Sequence, residues 1–310
     1  MNKKLRKRLS PVFDVLHNCR EKYYSQIGRR DPKRLVTMWY KHMFGEEIDL
    51  ENPQTINEKV NWMKFNADLS LWTRCADKLD VRGYVEEKGF GNLLNECYGV
   101  YDSPDEIDYD LLPGQFVVKT TNGGGGKTVL VVKDKSTLNK VQTNSMLKKW
   151  LRRQDGFRYY EPQYLPMKPR LIVEKYLQDG DGSEPLVDYK LNCFDGKVYN
   201  ILLCSDRKLG GGTRFALYDT AWNSWTDKVE PAYQSHETVE KPASLEEMIA
   251  CSEALSKSIP YVRIDWYEVD GKPIFGEMTF TPAGGFMHKY TKAYLLELGA
   301  QMHLPKRTQK

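Results

Sequence analysis

The chain has 310 residues, which is enough for two or three subdomains that share a continuous core. Hydrophobic residues account for 40% and charged residues for 28%, proportions that indicate a globular protein rather than a disordered chain. No stretch approaches the roughly 20 apolar residues that span a bilayer, so the sequence predicts no transmembrane helix. The formal net charge is only +4, and we expect no nucleic-acid partner.

Positive charge is concentrated at the start of the chain, where residues 2–8 carry five basic side chains. No apolar run follows, which argues against a secretory signal. Two interpretations remain: a solvated, frayed helix, or a segment attracted to the anionic inner face of a membrane or to an anionic polymer. The six cysteines lack zinc or Cys-x-x-Cys spacing, which is typical of reduced thiols, so we expect a cytoplasmic protein.

Residues 35–88 are predicted to be mostly helical. Thr55 and Glu58 have the spacing of a capping box at the start of one helix. A second helix is predicted to run from Ala76 to the vicinity of Gly89.

Strands and helices then mix without regular alternation. The strands are predicted at 98–101, 115–120, 128–132, 170–177, 188–194, 197–202, 261–268 and 274–279, and the helices at 138–153 and 244–258. Val141 belongs to the predicted apolar face of the first of these helices. Asp195-Gly196 and Asp270-Gly271 have the composition of two-residue hairpin turns. This pattern predicts an α+β fold with antiparallel sheets.

Four consecutive glycines, residues 123–126, separate two predicted strands and are flanked by Lys119 and Lys127. Glycines let the backbone approach a ligand closely and expose N–H groups to phosphate oxygens. A strand follows the run rather than a helix, so it is not a Walker A loop. The pattern favours a flap that covers phosphates, and a plain flexible hairpin is the alternative.

The last predicted hairpin places hard oxygen ligands on one face. Asp265 and Glu277 lie near the facing ends of its strands, and Thr279 shares the side-chain parity of Glu277. Two carboxylates and a hydroxyl suit magnesium that carries nucleotide phosphates. Arg263, two residues before Asp265, is expected to join this face as a phosphate clamp. A solvated strand face is the alternative.

Taken in order, these residues resemble the ATP-grasp superfamily from about Ala76 to Phe286. The resemblance includes the pair Asp77-Lys78, the strand before the glycine run, and Arg-x-Asp and Glu-x-Thr strands that would hold magnesium through Asp265, Glu277 and Thr279. It implies ATP and Mg²⁺ as cofactors and a fold of two α+β subdomains that clasp ATP. The ATP-binding residues implied are Lys78, Lys119, Gly124, Gly125, Gly126, Lys127, Glu174, Lys175, Tyr176 and Leu177. The family usually has asparagine at position 279, and Thr281 is an alternative ligand.

Within this superfamily the chain is most similar to the TupA-like branch, which is associated with bacterial surface polysaccharide synthesis. The stretches 52–62, 188–196 and 276–282 carry this likeness. It implies a helical N-terminal region at 1–75, an entry segment at 76–112, a small lid subdomain at 113–177 and a large subdomain at 178–310.

The resemblance implies a ligase that forms an amide bond through an acyl phosphate, with a uronic acid, glycan or amino-acid carboxylate and an amine as substrates. Arg263 is implied to stabilise transferred charge. Lys190 is a candidate for a further phosphate or carboxylate contact, with a snorkelling strand lysine as the alternative. The glycine-rich loop 209–214, which ends in Arg214, is either a cover for an anionic acceptor or an ordinary loop.

Two other functional classes remain open. A glycosyltransferase would use an Asp-x-Asp metal motif, and Asp179-Gly180-Asp181 has that spacing. A nucleotide-binding or polymer-binding module without turnover is the third hypothesis. Trp222 and Trp225 are interpreted as core residues, with sugar stacking as the alternative.

Overall fold

The structure is a computed structural model that describes residues 19–178, 180, 186–205, 213–235 and 237–308. Three sequence features lie wholly or largely outside these ranges: the basic segment 2–8, the Asp179–Asp181 triplet, and the glycine loop before Thr213. Among the described helices none is long and apolar enough to cross a membrane.

Helices and strands alternate irregularly along the chain, as the sequence predicts. The helices are α1 (19–30), α2 (Pro32–Phe44), α3 (Ile56–Asn66), α4 (Ser70–Ala76), α5 (Asp80–Glu87), α6 (Lys140–Leu151), α7 (Leu245–Leu255) and α8 (Lys292–Gln301). The strands are β1 (Cys97–Tyr101), β2 (Phe116–Thr120), β3 (Val129–Val132), β4 (Leu171–Lys175), β5 (Tyr189–Phe194), β6 (Lys197–Ser205), β7 (Arg214–Tyr218), β8 (Val262–Val269) and β9 (Lys272–Thr279).

These strands form two antiparallel sheets. The four-stranded sheet has the order β1-β4-β2-β3, and the five-stranded sheet has the order β7-β6-β5-β8-β9. The turn glycines Gly196 and Gly271 both have positive φ angles, which close the β5–β6 and β8–β9 hairpins. The predicted α+β class with antiparallel sheets is confirmed.

Local signals set the boundaries of the N-terminal helices. Thr55 and Glu58 form the predicted capping box at the start of α3. The helix predicted to begin at Ala76 is wrong, because Ala76 ends α4 and the next helix begins at Asp80. The Asp77 carboxylate accepts hydrogen bonds from the backbone N–H groups of Leu79 and Asp80, which closes a turn between the two helices.

The core is divided between the two sheets. One large apolar cluster joins α3, α4 and α5 to the five-stranded sheet with α7 and α8. A second cluster lies between the four-stranded sheet and α6, where Leu147 is fully buried. Val141 on the same helix is 81% exposed, so its predicted place on the apolar face is wrong. It lies six positions before Leu147, which puts it about 120° around the helix from the buried face.

Candidate functional site

The β8–β9 hairpin brings the predicted metal and phosphate residues together. Asp265 pairs with Glu277 and Arg263 pairs with Thr279 across the two strands, so all four side chains share one face. The Arg263 guanidinium donates to both oxygens of Asp265, from Nε at 2.6 Å and from Nη2 at 2.7 Å. Its Nη2 also lies 3.1 Å from Thr279 Oγ1 and 3.6 Å from Glu277 Oε1.

Strand β5 adds a lysine to this face. Lys190 pairs with Asp265 in the sheet, and its ammonium donates to Asp265 Oδ2 at 2.5 Å and to Asp188 Oδ2 at 2.6 Å. Burial alone would raise the pKa of Asp265, but the charges of Arg263 and Lys190 outweigh it and hold that pKa below its usual value. Burial and the neighbouring Asp265 raise the pKa of Asp188. The site thus combines an ionised, nearly buried carboxylate with two bound cations.

The glycine-rich hairpin is tied to this face by Lys78. The Lys78 ammonium donates to the carbonyl oxygen of Gly123 and lies 3.5 Å from Glu277 Oε2. At the base of the hairpin, Thr120 Oγ1 donates to Thr128 Oγ1 at 2.7 Å. A Cβ atom on Gly123 would lie 1.9 Å from Thr128 Oγ1, so only glycine fits at that position.

The tip of this hairpin reaches into solvent. Gly125 and Gly126 have positive φ angles, and Gly124 and Lys127 are exposed with them. Lys127 makes no hydrogen bond or ion pair within the described ranges, although its charge acts on Glu161. The structure therefore anchors the base of the flap and leaves its tip free for a ligand.

A second cationic pair lines the four-stranded sheet. Lys119 Nζ lies 2.7 Å from Glu174 Oε2, and Arg82 Nη1 lies 3.5 Å from Glu174 Oε1. The two strands pair so that Val117 and Lys119 share the face of Glu174. Glu174 therefore pairs with both cations and offsets part of their charge.

A cavity of about 450 Å³ opens where β4 ends. The predicted hinge residues Lys175, Tyr176 and Leu177 line it, together with Leu94 and Ile274. The backbone N–H of Lys175 is bonded to Glu96 and its carbonyl oxygen to Asn95. The backbone groups of Tyr176 and Leu177 make no hydrogen bond to other described residues, so they are the groups that remain for an adenine edge.

A buried polar cluster next to the hairpin was missed by sequence reasoning. Asn57, Asn61 and Lys64 are at most 2% exposed and lie at i, i+4 and i+7 on α3. Asn57 Oδ1 accepts from the backbone of Met287, and Asn61 Nδ2 donates to the carbonyl oxygen of Gly285. Their helical spacing was the available signal, but polar residues at that spacing are usually solvent-facing.

Thr281, the alternative magnesium ligand, belongs to a different environment. Its hydroxyl donates to Glu161 Oε1 at 2.6 Å and accepts from Gln163 Nε2 at 2.8 Å. Thr279 instead lies 3.4 Å from Glu277 and next to Arg263. Of the two threonines, only Thr279 contacts the carboxylate face.

The donor chemistry of this face fits magnesium. No three His, Cys, Asp or Glu side chains converge anywhere in the described ranges. Magnesium bound with nucleotide phosphates commonly uses only one or two carboxylates, which Asp265 and Glu277 provide. The Glu277 side chain is more exposed than that of Asp265. To bind the metal, Asp265 would have to give up a contact with Arg263 or Lys190.

The family model described as TupA-like ATPgrasp matches residues 58–303. No curated protein matches the chain significantly.

Three of the similar solved structures are distant in sequence. The D-alanine–D-alanine ligase from Bacillus anthracis is 21% identical with a TM-score of 0.41, and the match covers 74% of this chain and 67% of that one. The D-alanine–D-alanine ligase from Helicobacter pylori is 14% identical with a TM-score of 0.45, and the match covers 82% of this chain and 68% of that one. Phosphoribosylamine–glycine ligase from Thermotoga maritima is 13% identical with a TM-score of 0.44, and the match covers 78% of this chain and 58% of that one. The chain spans about two thirds of the length of the first two and less of the third. Because the family model covers most of its length, the chain belongs to the TupA-like ATP-grasp family.

Proposed function

We propose that the protein is an ATP-dependent ligase that activates a carboxylate as an acyl phosphate and joins it to an amine. One observation carries the proposal: Asp265 and Glu277 face each other across the β8–β9 hairpin, with Arg263, Lys190 and Lys78 in contact with them. This arrangement of hard oxygen atoms and cations is suited to holding a nucleotide triphosphate.

The nucleotide would extend from the hinge cavity to this face. Ile274 lines the cavity and precedes Glu277 by three residues on β9, a separation of about 10 Å along the strand. Phosphate oxygens would then displace Glu174 from Lys119 and meet Lys78 beneath the flap. Asp265, Glu277 and Thr279 would hold magnesium, which, when bound, neutralises phosphate charge and orients the transferring group.

In the proposed reaction, a substrate carboxylate oxygen attacks the γ-phosphorus in line, and the bond to the ADP oxygen breaks. The amine then attacks the acyl carbon, the tetrahedral intermediate expels phosphate, and the amine proton passes to phosphate or solvent. Nη1 of Arg263 makes no hydrogen bond to other described residues, whereas Nε and Nη2 are bound to Asp265. That free donor is the group we assign to the transferring phosphoryl group or the oxyanion.

We further propose that the substrates are a uronic acid or amino-acid carboxylate and an amine, in bacterial surface polysaccharide synthesis. Support comes from the likeness of stretches 52–62, 188–196 and 276–282 to that branch of the superfamily. A cytoplasmic location, with peripheral membrane contact through residues 2–8, stays a proposal. The six unpaired cysteines suit a reducing compartment.

Thermal unfolding with Mg-ATP, followed by an ADP-release assay over uronic acids and amino acids, tests this function. Mg-ATP is expected to stabilise the wild type, because it binds only the folded state. Asp265→Asn is expected to lose the magnesium-dependent part of that stabilisation and ADP release. Glu247→Gln, an exposed carboxylate on α7, is the matched control and is expected to behave as the wild type.

Three results would overturn the function. They are no stabilisation of the wild type by Mg-ATP, an Asp265→Asn protein indistinguishable from the wild type, and glycosyl transfer from a nucleotide sugar without ADP formation. The last result would favour a glycosyltransferase. Stabilisation by Mg-ATP without turnover on any substrate pair would favour a nucleotide-binding module.

A further inference from the structure

Lys289 holds its charge against two aromatic rings near the candidate site. Its ammonium lies 4.1 Å from the centre of the Phe215 ring and 5.5 Å from that of Tyr233. The ammonium has no hydrogen bond or ion pair within the part of the chain that the structure describes. Burial lowers the pKa of Lys289, as expected for a half-buried cation.

Phe215, the ring that Lys289 packs against, belongs to the five-stranded sheet that also carries Lys190 and Asp265. Phe215 pairs with Cys204, and Leu202, two residues before Cys204, pairs with Lys190. Paired and alternate residues share a face, so Phe215, Cys204 and Lys190 all lie on one side of the sheet. Cys204 is one strand and two residues away from Lys190, a separation of roughly 8 Å. The Cys204 thiol also acts on the pKa of Lys289, so the Lys289 ammonium lies near Cys204 on the face of the sheet that carries Lys190 and Asp265.

Backbone contacts on both Lys289 and Tyr290 hold the main chain from which the Lys289 side chain extends. The carbonyl oxygen of Lys289 accepts from the backbone N–H of Glu230 at 2.8 Å, and Tyr290 bridges to Val229. Arg214 provides a second positive charge nearby, since its Nη1 donates to the carbonyl oxygen of Ala232, next to Tyr233. Two cationic side chains, those of Lys289 and Arg214, therefore lie near Tyr233.

Lys228 is a second lysine that packs over an aromatic ring, and it can be compared with Lys289. Its ammonium lies 3.9 Å from the centre of the Trp225 ring, much as Lys289 lies over Phe215. In contrast to Lys289, it also forms an ion pair of 2.6 Å with Glu297. Among the residues that the structure describes, Lys228 has a carboxylate partner and Lys289 has none.

We propose that Lys289 binds a carboxylate of the substrate other than the carboxylate that is activated. This inference rests on the proposed ligase function and names a subsite for it. The bound carboxylate is either the amine substrate's own, as in an amino acid, or a second one on the activated substrate. Phe215 and Tyr233 exclude water beside the ammonium and strengthen the ion pair.

Ligand-induced thermal shifts in the presence of Mg-ADP test the subsite with four probes. L-alanine carries an amino-acid carboxylate, and L-alaninamide is its counterpart without a carboxylate. D-glucarate carries two carboxylates, and D-glucose is its counterpart without a carboxylate. At least one acid is expected to stabilise the wild type more than its counterpart, and which acid does so identifies the source of the carboxylate. Lys289→Met is expected to raise the concentration of that acid needed for half-maximal stabilisation by about tenfold or more.

Lys228→Met is the matched control, and its half-maximal concentration is expected to remain that of the wild type. Lys289→Arg is expected to bind the acid more tightly than Lys289→Met, because it restores the charge. The subsite is refuted if neither acid stabilises the wild type more than its counterpart without a carboxylate, or if Lys289→Met binds the acid as the wild type does. Failure of Mg-ADP itself to stabilise the wild type would instead refute the proposed function.

Discussion

The ammonium group of Lys64 donates a hydrogen bond of 2.7 Å to the carbonyl oxygen of Gly284, which lies just after strand β9. It also donates to Asn61 Oδ1 at 2.9 Å and to the carbonyl oxygen of Tyr159 at 3.1 Å. These three acceptors take all three N–H groups of a charged ammonium. The N-terminal helix α3 therefore holds the segment that follows the carboxylate strand, through a lysine that is 2% exposed.

Lys64→Met is expected to destabilise the protein by about 3 kcal/mol, because it leaves buried carbonyl oxygens without donors. Burial lowers the pKa of Lys64 to about 7, whereas the unfolded chain keeps the ordinary lysine value. As pH rises above 7 the unfolded state holds more protons than the folded state, so this lysine's contribution makes unfolding harder. The difference between wild type and variant should widen by up to about 1.4 kcal/mol per pH unit from about pH 7 to pH 8.5.

Urea unfolding across this pH range measures that difference. Lys41→Met is the control, because Lys41 is an exposed lysine on α2 that pairs with Glu47. Its difference from the wild type should be small and constant with pH. A constant difference for Lys64→Met as well would contradict the lowered pKa.

Thr279 and Thr281 are expected to have different roles, the first in magnesium binding and the second in stability. Thr279→Val should raise the magnesium concentration for half-maximal stabilisation by ATP about tenfold, because Thr279 lies beside Glu277. Thr281→Val should leave that concentration unchanged and lower stability by about 1 to 2 kcal/mol, because it breaks the bonds to Glu161 and Gln163. Magnesium titrations of both variants show which threonine contributes to magnesium binding. If Thr281→Val raises the magnesium requirement and Thr279→Val does not, Thr281 is the ligand.

Lys119→Met is expected to raise the ATP concentration for half-maximal thermal stabilisation by about tenfold, because a charge-assisted contact to phosphate is lost. Lys140→Met on α6 is the control, since Lys140 forms only an exposed ion pair with Asp110. Equal ATP affinities for both variants would show that Lys119 pairs with Glu174 and does not contact ATP.

Gly123→Ala is expected to destabilise the protein by about 2 kcal/mol, because its Cβ would overlap Thr128 Oγ1 and break the bond to Thr120. Gly124→Ala is the matched control for stability, since a Cβ there has no neighbour within 4 Å. Thermal unfolding without ligand compares them. Equal melting temperatures would show that the base of the flap accommodates the added methyl group without loss of stability.

Much of the candidate site followed from local sequence patterns. Asp270-Gly271 demands a tight turn, and strand alternation then puts Asp265 and Glu277 opposite one another with Thr279 on the same face. The capping box at Thr55 is equally local, because Thr55 and Glu58 satisfy each other's backbone N–H groups.

Only the tertiary structure decided which distant groups meet. The bonds from Lys64 to Gly284, from Lys190 to Asp265 and from Lys289 to its aromatic rings join separate elements, and no local spacing encodes them. Their geometry depends on how α3 packs on the end of β9 and how β5 inserts between β6 and β8. The sequence by itself therefore determined the carboxylate-bearing hairpin and the flap, whereas packing decided which distant cations and carboxylates meet, since a buried charge is costly unless a partner is brought to it.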